Sequence, residues 1–186
     1  MNLQHIAQMS CNPAMGGVAK GQIIREIDAL GGRSGFVSDL SAVQFKMLNR
    51  SKGPAMWSPR VQSDRMLFSS IWRKELEKQN NLDFCQAVVN DLLFDDNKIS
   101  GVVSSTGTKF YSETVILTNG TFLNGLIHIG EKNYGGGRTG EQASFGITKS
   151  LESMGFSSGR MKTGTPPRVD GRSIDFNIME VQPGDK

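Results

Sequence analysis

At 186 residues the chain has the size of one ordinary domain, long enough to bury roughly 70% of its unfolded surface. Its 21 Lys and Arg against 18 Asp and Glu leave a net charge of +3, which permits a nucleic-acid partner without requiring one, and the Lys and Arg form no solid run that would read as a basic tail. Two cysteines are too few for a disulfide framework and point to a reducing, cytoplasmic compartment; two separated histidines argue against a metal site, and neither a signal-peptide layout nor a membrane-length apolar run is present.

Along the chain, Ile23, Ile24, Ile27 and Leu30 form an apolar stripe that predicts a helix over 18–30, with Gly16 and Gly17 at its start and Gly31 and Gly32 as its stop. Residues 33–60 read as irregular, with "RSKGP" and "WSPR" as loop signals. A second helix is expected over 59–79, entered through Ser58 as N-cap and Pro59 at its first position, with Leu67, Phe68, Ile71, Trp72 and Leu76 inward. From residue 82 the period shortens to β-type runs, "LDFCQAVV", "DLLFD", "KISGVVSS", "TKFYS" and "TVILT", with "DDNK" and "STGT" as hairpin turns. These runs predict a small antiparallel meander followed by one buried strand over 114–118, whose unbroken apolar character suits a parallel sheet. A glycine-rich stretch, "NYGGGRTGE", then leads to a helix near 142–154 with Phe145, Ile147, Leu151 and Met154 inward, and the remainder reads as loops and weak strands. The order suits part of an α/β nucleotide-binding domain. Its usual opening, a strand, a G-x-G-x-x-G turn and a helix, is not found; "GGVAKG" and "GGGRTGE" follow no strong parallel strand and are not counted as substitutes.

Several residues carry chemistry. Cys11 precedes a glycine pair and a helix start, where unpaired N–H groups and the helix dipole favour a thiolate; the competing reading is a small buried hydrophobe in a turn. Cys85, in an alternating run, reads as packing. Gly16 and Gly17 either admit a ligand to the backbone beside Lys20 or merely serve a turn that needs positive φ. Arg138 suits phosphate or carboxylate binding, or is a solvated loop charge. Lys162 and Arg168 flank a loop stiffened by two prolines that suits an RNA or cofactor phosphate, or they are surface charges that simply face water. Arg50, Lys52, Arg60 and Arg65, with Trp57 among them, make a basic segment with an aromatic that can stack on a base or cover a core edge.

The wording and order of six blocks are more specific than any one of these signals. "QMSCNPAMGGVAKG", "REIDALGG", "QFKMLNRSKGPA", "LTNGTFLNGLIHIG", "YGGGRTGE" and "GRMKTGTPPR" resemble the tRNA uridine 5-carboxymethylaminomethyl modification enzymes, the glucose-inhibited division protein A family, from about residue 8 to 176. The resemblance implies an α/β fold: an incomplete Rossmann-like FAD-binding domain of the two-dinucleotide flavoprotein type, carrying a small antiparallel meander. Residues 1–160 would be the partial FAD-binding domain, without its first strand and G-x-G-x-x-G turn, and 161–186 the entry into an inserted NAD-binding domain. It also implies FAD as cofactor, NADH and methylenetetrahydrofolate as co-substrates, tRNA and a GTPase as partners, and a homodimer in the cytoplasm. The activity implied is addition of a carboxymethylaminomethyl or aminomethyl group to C5 of the wobble uridine. By the same resemblance Cys11 is catalytic, Val89 and Ser144 contact FAD, and Gly16, Gly17, Asn119, Gly120 and Arg138 border flavin or folate, with Lys162 and Arg168 offered to RNA. A second family cysteine has no counterpart here, since Cys85 lies in the wrong block, and Ala7 stands where many members have glycine. Two other readings are a folate- and FAD-dependent tRNA uracil-5-methyltransferase and a non-catalytic module that binds RNA or a partner.

Overall fold

A computed structural model describes residues 2–10 and 12–185. The chain divides into two compact units, one formed by residues 4–83 and 164–186 and the other by 1–3 and 84–163.

The first unit is built on a three-stranded antiparallel sheet of order β1–β3–β2, comprising β1 (Ala14–Gly16), β2 (Ala42–Leu48) and β3 (Ser58–Ser63). Helices α1 (Lys20–Ala29) and α2 (Ser34–Leu40) pack against β3, and α3 (Arg65–Glu77) packs against α2. Val37, Val61 and Phe68 form its core, with the Phe68 ring edge-on to Trp72 at 6.4 Å. Four serines are buried with them; Ser38 and Ser41 satisfy their hydroxyls on carbonyls one helical turn back, whereas the Ser63 hydroxyl has no partner among the described residues.

Residues 58–63 correct the expected helix start. Ser58 and Pro59 resemble a cap and first turn, yet they open β3; the cap is Asp64, whose carboxylate accepts from the Met66 and Leu67 N–H groups at 2.9 Å each. Their alternation was satisfied by a partner strand in the region read as irregular, where β2 pairs with β3 from Leu48↔Ser58 to Ala42↔Ser63. The α1 stripe is present, but Ile23, Ile27 and Leu30 are exposed and the buried residue of the helix is Gly21. Residues 182–185 run along the outer edge of β2: the Asp185 N–H donates to the Phe45 carbonyl at 2.8 Å, and the Gln44 amide donates to Gln182 O at 3.1 Å.

The second unit holds the expected meander, β4 (Val89–Asp95), β5 (Lys98–Ser104) and β6 (Lys109–Tyr111), and a hairpin, β7 (Leu126–Ile129) with β8 (Lys132–Gly135). Both central residues of the "DDNK" turn, Asp96 and Asn97, have positive φ, the two-residue geometry that matches strand twist. Helix α4 (Ile147–Ser153) packs on β4, burying Ile147 near Leu92 and Ala143 in the unit's core. Phe145 is exposed rather than inward, and the next residue, Gly146, has φ 108° and approaches β4 closely: an added Cβ there would meet Asn90 O at 1.9 Å.

Two expected strands do not form. Residues 82–88 lie outside regular structure, so Cys85 is exposed rather than packed. Residues 114–118 lie outside regular structure, and Ile116 is 84% exposed. A parallel strand needs neighbours to take its N–H and C=O groups. No described segment offers them to 114–118. Among the described residues no helix is long and apolar enough to cross a membrane.

Candidate functional site

The residues expected to border a cofactor fall into both units. In the second unit, five of them converge on the turn at residues 121–124. Ser144, 6% exposed, donates its hydroxyl to the Val89 carbonyl at 2.7 Å and its N–H to Phe122 O at 2.8 Å, and accepts from the Asn124 N–H at 2.9 Å. It thereby ties the start of β4 to the turn across 55 residues of sequence. Asn119 begins the same turn, its carbonyl accepting from Phe122 N at 3.0 Å, and Gly120 follows at φ 54° with open space where a side chain would stand.

Arg138 joins them from the glycine run. It is no solvated loop charge: its guanidinium meets Glu141 at 2.8 Å and stands 5.9 Å from the Phe122 ring centre, while its Nε is buried without a hydrogen-bond partner among the described residues. The glycines before it have a packing reason, since an added Cβ on Gly137 would lie 2.1 Å from the Phe122 ring and one on Gly136 would lie 2.8 Å from Ile127. Phe122, Thr121 and Glu141, none of them singled out from the sequence, do the holding here; the Thr121 hydroxyl donates to Gly137 O. The only advance signal was the Arg-x-x-Glu spacing.

In the first unit Cys11 lies outside the described residues. Its flanks are fixed: the Arg168 guanidinium donates to Ser10 O at 2.9 Å, and Ser63 N–H donates to Pro13 O at 2.7 Å where β1 joins β3. Arg168 is thus linked to the Cys11 segment across 158 residues, while Lys162 is exposed and belongs to the other unit. Gly16 and Gly17 have separate requirements. Both have positive φ, 88° and 97°, but an added Cβ on Gly16 would stand 2.2 Å from Pro59 O, whereas Gly17 faces open space. The first glycine serves close strand packing, and the second leaves room beside the helix start.

The basic segment divides. Arg50 pairs with Asp185 at 2.8 Å, and the Trp57 indole donates to Arg50 O at 3.2 Å, so Trp57 braces a turn. Arg60 lines a groove on the sheet with Gln44, Lys46, Leu48, Gln62 and Gln182. Elsewhere Glu75 takes Arg33 and Lys78; hydrogen bonds from Lys78 first, then Arg33, hold its carboxyl below the usual range. No group of three or more His, Cys, Asp or Glu able to hold a metal ion occurs among the described residues.

Comparison with known proteins gives one result. The chain is 67% identical over 185 residues to the tRNA uridine 5-carboxymethylaminomethyl modification enzyme of Christiangramia forsetii and 66% identical to that of Flavobacterium psychrophilum, covering 100% of this chain and 30% of each relative. The solved structure of Aquifex aeolicus GidA superposes with a TM-score of 0.92 at 47% identity, covering 99% of this chain and 30% of that one. The chain therefore spans about 30% of the length of the relatives it matches. Its mixed α/β fold with small antiparallel sheets is that of the corresponding part of the Aquifex protein. Since the profile of the glucose inhibited division protein A family matches residues 1–186, the whole sequence, the chain belongs to that family.

Proposed function

We propose that this chain is part of the FAD-binding region of an enzyme that modifies C5 of the wobble uridine in tRNA. The observation that carries the reading is the unbroken match, over the whole chain, to relatives named for that activity. Residues 1–160 belong to the FAD-binding domain in this reading, and 161–186 lead toward an inserted NAD-binding domain.

The chain's residues fit a flavin dinucleotide in one specific respect. The buried, unpartnered Nε of Arg138 keeps a donor in reserve beside a cluster that already joins Val89, Asn119, Gly120 and Ser144. A buried N–H without a partner is costly, and an anionic or carbonyl oxygen relieves it. Val89, Ser144 and Arg138 would hold the cofactor here. FAD, when bound, supplies two-electron redox chemistry, with NADH as reductant.

The work of the chain is done by Cys11. Addition of its thiolate to C6 of the uracil ring makes C5 nucleophilic toward a one-carbon unit from methylenetetrahydrofolate, and expulsion of the thiolate after loss of the C5 proton restores the ring. Arg168 and the β1–β3 ladder fix the backbone on either side of that cysteine. A GTPase partner, a homodimer and a cytoplasmic setting complete the proposal.

The test uses the whole protein containing this segment. Cys11→Ser is expected to retain flavin, read by absorbance after desalting, and to abolish uridine modification, read by nucleoside mass spectrometry. Full activity in that variant would remove Cys11 from the mechanism, and a colourless wild-type protein would refute the flavoprotein reading. The 186-residue chain by itself is expected to retain less than stoichiometric FAD, because it carries no strand–G-x-G-x-x-G–helix grip for the pyrophosphate.

A further inference from the structure

One face of the β1–β3–β2 sheet holds an electrostatic conflict that the chain itself does not resolve. Lys46 on β2 and Arg60 on β3 are direct cross-strand partners, and Gly16 on β1 is the partner of Arg60 on its other side. Like charges placed opposite each other destabilise a sheet. Both residues are half-buried, so water screens them less than it would on an open surface. The groove they line has no acidic residue: its other walls are Gln44, Leu48, Gln62 and Gln182.

The nearby carboxylate is already engaged. Asp185 accepts from Arg50 and from the Met47 N–H, each at 2.8 Å. Lys46 reaches only the Pro183 carbonyl, at 3.3 Å, and the Arg60 side chain makes no hydrogen bond or ion pair among the described residues. Gly16 has no side chain to cover the guanidinium. Beside the cations, the Gln62 amide donates to Gln44 Oε1 at 3.3 Å, and Gln44 in turn donates to Gln182 O, so the amides are ordered with donor capacity to spare. The row therefore offers a planar fork, a point charge and amide N–H groups to one anion.

We propose that Lys46 and Arg60 form a phosphate clamp that takes a backbone phosphodiester of the RNA substrate. The assignment rests on the proposed tRNA-modifying function. A nucleic-acid phosphate is favoured over free phosphate because the clamp is on the sheet whose first strand begins three residues after Cys11. A phosphate gripped there positions the RNA for the nucleophile's segment without reading its sequence.

The experiment measures binding of a fluorescein-labelled unmodified tRNA transcript to the whole protein containing this segment by anisotropy, from about 50 to about 200 mM KCl. The proteins compared are wild type, Lys46→Gln, Arg60→Gln and the double variant. Each single substitution is expected to weaken binding and to reduce the slope of log K against log salt by about one, and the double variant by about two. Lys46→Arg is expected to keep the wild-type slope. Removing one of two facing like charges should leave the low-salt thermal midpoint unchanged or raise it, and Lys46→Met, which keeps the aliphatic stem, serves if the glutamine variant does not fold. Affinity and slope indifferent to both substitutions would overturn the clamp. So would a wild-type midpoint raised by inorganic phosphate, lost in the double variant, together with an unchanged tRNA slope: the pair would then hold free phosphate. The functional reading fails on a different measurement, the absence of uridine modification by the whole protein.

Discussion

Replacing Gly16 and Gly17 separately by alanine separates close packing from backbone conformation. The two residues have nearly the same φ, 88° and 97°, so each alanine meets a similar conformational cost, about 1–2 kcal/mol, offset by about 0.4–1 kcal/mol from the stiffer unfolded chain. For Gly17 that is the whole effect, because nothing lies within 4 Å of its added Cβ. For Gly16 the Cβ would stand 2.2 Å from Pro59 O, and that carbonyl accepts from the Gly17 N–H at 2.8 Å. Relieving the overlap requires β1 to move from β3, which adds about 1–3 kcal/mol of overpacking and about 0.5–1.5 kcal/mol for the weakened hydrogen bond. Gly16→Ala should therefore be about 2 kcal/mol or more less stable than Gly17→Ala. Urea unfolding followed by tryptophan fluorescence reads this directly, since Trp57 precedes β3 and Trp72 lies in α3. With typical urea slopes the two midpoints should differ by about 1 M. Equal midpoints, or a lower one for Gly17→Ala, would refute the contact with Pro59 as the reason for the first glycine.

Three further outcomes are expected from the same unit. Asp64→Ala removes the acceptor for two N–H groups at the start of α3 and should cost about 1 kcal/mol in urea unfolding, with Asp64→Asn recovering most of it. Ala7→Gly should stabilise by about 0.5–1 kcal/mol, because Ala7 has φ 54° and only glycine adopts that conformation freely; an unchanged or lower midpoint would deny the strain. Glu75, held below its ordinary pKa by Lys78 and Arg33, contributes stability above its unfolded pKa that is lost as pH falls through the folded value. The midpoint gap between wild type and Glu75→Gln should thus be widest near neutrality and close in acid, and a gap independent of pH would contradict the pairing.

What could be read from the sequence was whatever a short window decides by itself. The α1 period, the meander and its "DDNK" turn were legible because each is enforced by residues close in sequence. Residues 58–63 were not. Ser-Pro satisfies a helix cap locally, and the competing strand assignment depends on β2 lying alongside, which a window cannot see. The β7–β8 hairpin was hidden for a different reason: glycines dominate "GEKNYGGG", and their number masked the two-residue turn at Gly130 that defines it.

The candidate site shows the same division more sharply. No spacing rule links Val89 to Ser144: the family resemblance singled out each residue separately, and the hydroxyl–carbonyl hydrogen bond that joins them is visible only in the fold. Phe122 explains why. It forces Gly137 to be glycine, lies beside the Arg138 guanidinium, and accepts at its carbonyl the N–H of Ser144. One aromatic residue on a turn thus does for the cluster what a regular element does elsewhere, and an aromatic in a loop carries no periodic signature by which to recognise that role. The same reasoning accounts for the legible half. Gly136 and Gly137 stood out as a glycine run, but the run records the volume of Ile127 and Phe122, and the arginine that follows it lies against Phe122 and Glu141 with its Nε–H unpartnered among the described residues.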